Sequence, residues 1–208
     1  MTRAYSRISF IAFLIALLLG NLSAKEKKPE PANKPPRIVM FAPLGIARGA
    51  VAKLVIRGVA LDTATEVHAT LAGTEVPAKI KSKGKADLPK DAPPEKLGDT
   101  QVEIELKVPA ETTSAEAEIS VTTPNGTSAP RSLRLFAAAD LTIEKEPNGA
   151  FADAREIAAS TTIQGTISPE NDVDVFKITG KAGQKISAEI FAARLGSALD
   201  SLLTLYDD

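Results

Sequence analysis

The sequence predicts an all-β protein built as two β-sandwiches in tandem. Three observations carry that expectation. Apolar residues recur at every second position in run after run, the period of a strand with one face in a core and the other in water. Gly, Pro and an Asn-Gly step punctuate those runs at short intervals. The charge balance also changes sign near residue 140. Residues 141–208 hold six basic and eleven acidic residues, a balance of −5, while the remainder holds nineteen basic and fifteen acidic, a balance of +4. At 208 residues there is room for one large domain or two small ones. The hydrophobic share is 44% but the aromatic share only 4%, so the cores must be built from Val, Ile, Leu and Ala.

The N-terminus departs from this pattern. Arg3 and Arg7 give a positive start, Ile8 to Leu19 is almost wholly apolar, and Leu22-Ser23-Ala24 ends on a small residue suited to a signal peptidase. An apolar core of about 12 residues falls short of the roughly 20 that span a bilayer. Residues 1–24 are therefore expected to be a signal peptide, with an uncleaved anchor as the alternative. Export without any Cys is ordinary for bacterial envelope proteins, whereas small animal secreted domains lean on disulfides. Residues 25–37, KEKKPEPANKPPR, are charged and rich in Pro and should form an extended linker.

Strand patterns begin beyond it. In 52–57 the side chains of Ala52, Leu54 and Ile56 point one way and those of Lys53 and Arg57 the other. Val67, Ala69 and Leu71 alternate likewise. In 101–108 Val102, Ile104, Leu106 and Val108 should face in while Gln101, Glu103, Glu105 and Lys107 face water. AEAEISV at 115–121 repeats the pattern, and Asn125-Gly126 turns the chain before Ser132–Phe136. About seven short strands over roughly 100 residues fit a β-sandwich spanning 38–137. The Lys- and Pro-rich stretch 81–100 breaks the pattern and is expected to be a structureless loop. It is either a tolerated insertion, favoured because long surface loops add little closure entropy, or a functional segment able to touch an anionic surface. Past Ala137-Ala138-Ala139, alternation resumes at 162–167, 173–178 and 185–190, and 151–158 has the composition of one or two helical turns.

Residues 141–208 carry a series of blocks: Glu144-Lys145-Glu146-Pro147-Asn148-Gly149, Gly165-Thr166-Ile167, Asp172-Val173-Asp174-Val175-Phe176, Ala182-Gly183-Gln184, and Arg194-Leu195-Gly196-Ser197-Ala198-Leu199-Asp200 followed by Leu203-Thr204-Leu205-Tyr206-Asp207. In this order they resemble the bacterial pre-peptidase C-terminal domain, with Gly149 where that family usually has Asp. The resemblance implies a jelly-roll-like sandwich, here incomplete at its C-terminal end, because the family continues through further strands. The first segment more loosely resembles a TIG-type immunoglobulin-like domain, on Pro43-Leu44-Gly45, Arg48-Gly49, Ile56-Arg57-Gly58, Leu61, Val67 and Thr123-Pro124-Asn125-Gly126.

Composition excludes much chemistry. A formal charge of −1 leaves no basic footprint for nucleic acid. The absence of Cys removes disulfides, zinc–thiolate sites, iron–sulfur clusters and a cysteine nucleophile. His68, the one histidine, lies on the polar face of a strand and is expected to be a surface residue. No Gly-x-Ser-x-Gly, His-Glu-x-x-His or phosphate-binding glycine loop occurs. No catalytic residues are expected, and the chain is expected not to be an enzyme.

The acidic residues are the chemically loaded group. Glu144, Glu146 and Asn148 alternate along one extended stretch and so share a face, as do Asp172 and Asp174 on a later strand. Oxygen-only ligands suit a hard cation, and Ca²⁺ takes six to eight of them. The pre-peptidase resemblance implies calcium between these two runs, since some collagenase members bind it there. The alternative is an ordinary solvated acidic turn.

Together these features describe an exported, non-catalytic accessory or binding protein of the periplasm, cell surface or medium, with no membrane contact once the signal is removed. The resemblance implies a secreted peptidase domain or an extracellular polymer as partner. Two rivals remain: the leading portion of a longer secreted hydrolase, and a structural or adhesive envelope protein.

Overall fold

The structure is a computed structural model that describes residues 34–168 and 171–207. The expected signal peptide, and the expected linker as far as residue 33, lie outside the described residues. Among the described residues no helix is long and apolar enough to cross a membrane.

The fold is an all-β sandwich. In chain order the first part carries β1 (Arg37–Ala42), β2 (Gly45–Ala47), β3 (Val51–Val59), β4 (Glu66–Leu71), β5 (Thr74–Val76), β6 (Ala78–Lys85), the single turn α1 (Pro94–Leu97), β7 (Thr100–Lys107), β8 (Glu116–Thr123), β9 (Gly126–Thr127) and β10 (Arg131–Phe136). One sheet runs in the order β1-β3-β7-β6. The other runs β2-β10-β8-β4-β5, with β9 paired to β8. The chain passes from the first sheet to the second between β1 and β2, and β2 then pairs parallel to β10 while its neighbours pair antiparallel. This is the strand order of an immunoglobulin-like sandwich.

The alternation in the sequence becomes the packing. Leu54 and Ile56 on β3, Val102, Ile104 and Leu106 on β7, and Ala117, Ile119 and Val121 on β8 are all at most 1% exposed and share one core cluster. Phe41, Leu61 and Leu133 extend that cluster. At roughly 25 cal/mol per Å² of apolar surface removed from water, these side chains dominate the sandwich's stability. A buried hydroxyl in the core has its bonds completed: Thr100 Oγ1 donates to the Gly58 carbonyl and accepts from the Leu61 amide, both at 2.9 Å.

The stretch 81–100 departs from expectation. It is not structureless, because its first residues complete β6, an edge strand of the four-stranded sheet. A β-bulge between Ile80 and Ser82 shifts the register against β7. Lys79 stands opposite Glu105, whereas Lys83 stands opposite the buried Val102 and reaches the Ala64 carbonyl with its Nζ. The rest of the stretch is tied down as well. Arg57 donates to the carbonyls of Asp87 and Gly98, and the Ala86 amide bonds the Asp99 carbonyl.

Residues 141–207 carry shorter strands. β11 (Leu141–Ile143) pairs parallel with β13 (Thr162–Gln164), and β12 (Arg155–Ile157) pairs parallel with β14 (Phe176–Ile178). The helical composition of 151–158 yields one 3₁₀ turn, Phe151–Asp153, and then β12. Residues 185–190 alternate in sequence but form no strand, and Ile186 and Ile190 stay 46% and 36% exposed. Alternation marks which side chains would share a face, but a strand also needs a neighbour for its backbone groups.

Candidate metal centre

The parallel pairing of β11 with β13 sets the geometry. It is prolonged by the Glu144 amide, which donates to the Gln164 carbonyl at 3.0 Å. Beyond that point the chain runs through Pro147 to Asn148, whose carbonyl accepts from the Val175 amide at 2.9 Å. The opening acidic run and the Asp172–Asp174 run are therefore neighbours through the backbone. Carboxylate oxygens of Glu144, Glu146 and Asp174 come within 4.8 Å of one another. Glu144 and Glu146 border a shallow open depression shared with Gln164 and Thr166.

Asn148 ties the group together. It is 1% exposed, and its Nδ2 donates to Glu144 Oε1 at 2.8 Å while its own amide donates to Glu146 Oε2 at 3.1 Å. Its Oδ1 is buried with no hydrogen-bond partner, and so is Asp174 Oδ1. Two buried acceptors without donors beside a carboxylate cluster are costly unless a cation or protons meet them.

The charges respond accordingly. Burial pushes the Asp174 carboxyl up, followed by its hydrogen bond to Glu144 and by Glu144's charge. Asp172 adds a smaller push, the Asn148 amide pulls the other way, and the result is about 7. Glu144 moves oppositely. Burial would raise it, but the bonds it accepts from the Asp174 carboxyl, the Thr166 amide at 2.8 Å and Asn148 hold it below its ordinary value. Two carboxylates this close resist carrying a double negative charge, so Glu144 ionises first and Asp174 holds its proton to higher pH.

Of the five residues that the sequence singles out, Glu144, Glu146 and Asp174 meet, and Asn148 is buried among them. Asp172 is turned aside, with its Oδ2 accepting from the Ser168 amide at 2.8 Å, so it contributes charge rather than a ligand atom. Gly149 lies against the Val173 backbone, where a Cβ would sit 3.3 Å from that carbonyl. Gly165 and Thr166 join the site although they are not among the five candidate ligands. Thr166 supplies an amide, and a Cβ on Gly165 would come within 2.6 Å of Glu144 Oε2. Their signal in the sequence is only the Gly-Thr-Ile block. His68 lies on the exposed face of β4, with ring nitrogens 3.3 Å from Glu66 and 3.3 Å from Glu75.

No family model matches the chain. A probable subtilase-type serine protease of Deinococcus radiodurans is 40% identical over 65 residues. That stretch is 30% of this chain and 9% of the protease. The chain therefore matches a small piece of a much longer protein.

Proposed function

We propose that this chain is an exported, non-catalytic accessory protein of the bacterial envelope, made of β-sandwich modules of the kind attached to secreted peptidases. The observation that carries this reading is the 65-residue likeness to a protease of which it covers 9%. A likeness so short fits a shared appended module better than a shared catalytic core. The role of such a module is to space, target or hold a peptidase domain or an extracellular polymer. The same likeness favours one rival, in which the chain is the leading portion of a longer secreted hydrolase. Reading the gene beyond the codon for Asp208 separates the two. A catalytic domain in the same frame would establish the rival, a stop codon would support the accessory reading, and further sandwich modules with no catalytic motif would favour a structural or adhesive envelope protein.

Within this function the acidic cluster is a calcium site. Glu144, Glu146 and Asp174 would supply carboxylate oxygens and Asn148 its buried amide oxygen, with water completing the six to eight ligands that Ca²⁺ takes. The ion's chemistry is electrostatic: it removes the repulsion between Glu144 and Asp174 and gives the orphaned acceptors a partner. Binding only to the folded form, it stabilises that form by about 2.7 kcal/mol at a hundredfold excess over its dissociation constant. The melting temperature should rise with millimolar calcium and fall with chelator, with magnesium doing less because it requires tight octahedral geometry. An unchanged melting temperature across the calcium titration would leave the cluster a solvated acidic turn.

A further inference from the structure

Among the described residues of 141–207 only Asn148 and Ala192 are buried. Asn148 belongs to the acidic cluster. Ala192, 6% exposed, belongs to a different feature. It precedes the 3₁₀ turn Ala193–Leu195, and its carbonyl accepts from the amides of Leu195 at 2.9 Å and Ser197 at 3.1 Å. This knot of chain meets the sandwich at three points. The Arg134 guanidinium of β10 lies 4.3 Å from the centroid of the Phe191 ring, and Arg194 stacks on the same ring at 4.9 Å. Arg131 of β10 donates to the Leu195 carbonyl at 3.2 Å. Gly196, at φ +91°, fits where any Cβ would run into the Arg131 guanidinium and sit 2.7 Å from the Val39 carbonyl of β1.

We propose that residues 191–197 are an intramolecular clasp that docks the acidic segment onto β10 and β1 of the sandwich. Its chemistry is an aromatic ring contacted by two guanidinium groups, where the ring's π-electrons attract each cation. A carbonyl–arginine bond and a glycine close approach lock it in register. The binding surface on the sandwich is Arg131, Arg134 and the Val39 carbonyl, and the occupant is Phe191 to Gly196 of the same chain. Two units joined only by a short connection move freely relative to one another. The clasp removes that freedom and makes the pair a stiff spacer that holds the acidic cluster in a fixed place beside the sandwich. The inference rests on β10 and the 191–197 turn and is independent of whether the cluster holds a cation.

The chain has no Cys, so two introduced thiols are unique labelling points. Spin labels on Thr74→Cys of β5 and Lys177→Cys of β14, both exposed, report the distance between sandwich and acidic segment in the full chain. The expected result is a narrow distance distribution, broadened severalfold by Phe191→Ala and by Gly196→Ala. The sandwich's own urea midpoint should stay unchanged in both variants. Arg134→Lys keeps the charge but loses the planar stack and should broaden the distribution by less. A broad distribution in the parent chain overturns the proposal. So does a narrow one that survives both Phe191→Ala and Gly196→Ala. If one variant shifts the sandwich midpoint, the distribution of the other decides. A calcium response retained in a broadened variant separates this outcome from failure of the cation reading.

Discussion

Asp174 is partly buried and faces Glu144, and both facts raise the pH at which it ionises. In the unfolded chain it titrates near 3.8, and in the fold at about 7. Between those values the folded form keeps a proton that the unfolded form has released. Its contribution to stability is therefore complete below about 3.8 and is lost as pH rises through about 7. Metal-free protein should melt at a lower temperature at pH 8 than at pH 5. Glu144 acts with the opposite sign, its contribution being lost only as pH falls below its ordinary 4.5, so it leaves that window flat. A calcium ion bound there would compete with the Asp174 proton, so under the proposed calcium reading its affinity should rise between pH 6 and 8. Asp174→Asn should flatten the metal-free pH profile and abolish the calcium response together. A profile that keeps its slope in Asp174→Asn would show that the slope arises elsewhere. Gly165 is the second residue with a sharp expectation. Its missing Cβ leaves room for the Glu144 carboxylate. Gly165→Ala should displace that carboxylate and weaken calcium binding by roughly tenfold, the cost usual for a disturbed supporting residue. Isothermal titration at pH 8 measures it.

At the scale of strands, position in the core decides what a substitution costs. Ile104 of β7 and Ile119 of β8 are at most 1% exposed in the central strands of opposite sheets, while Val51 at the start of β3 is 59% exposed. Ile104→Ala and Ile119→Ala should each cost about 2–5 kcal/mol, and Val51→Ala within about 0.5 kcal/mol, in urea unfolding. The same contrast explains which elements the sequence disclosed. β3, β4, β7 and β8 lie between two neighbours with one face on the core, so every second residue is apolar and the strand announces itself. β2 and β5 span three residues each, too few for a period to emerge. β6 is held by backbone pairing along β7, and its bulge breaks the alternation, so a sequence dominated by lysine read as a loop. The candidate site divides similarly. Glu144, Glu146, Asn148 and Asp174 were visible because carboxylates and amides at alternate positions carry a chemical signature. Asp172 shares that spacing, yet the Ser168 amide turns it away, and spacing cannot foresee such competition. Gly165 and Thr166 act through an absent Cβ and a backbone N–H, which any residue sequence could conceal.

For the whole molecule, export is the first expectation to check. The charged start, short apolar core and Ala24 predict removal of residues 1–24. Intact mass of protein recovered from the envelope or medium should show Lys25 as the first residue, and Met1 on membrane-embedded protein would contradict it. The second expectation concerns autonomy. The sandwich owns nearly all of the buried apolar residues, so 38–137 expressed alone should unfold cooperatively as a monomer, as judged by urea unfolding and sedimentation. The margin of that sandwich bears on how the protein behaves in a crowd. An open sheet edge offers unpaired amides and carbonyls to any passing chain, and such edges seed fibrils. Along β6 four lysines would bring like charges together if two copies met edge to edge. The register shift between Ile80 and Ser82 interrupts the regular ladder a straight partner would need, and the exposed Lys83 would set an ammonium group against a stacking strand. The stretch that interrupts the hydrophobic pattern thus serves as colloidal protection, keeping neighbouring copies apart where their sheets would otherwise merge.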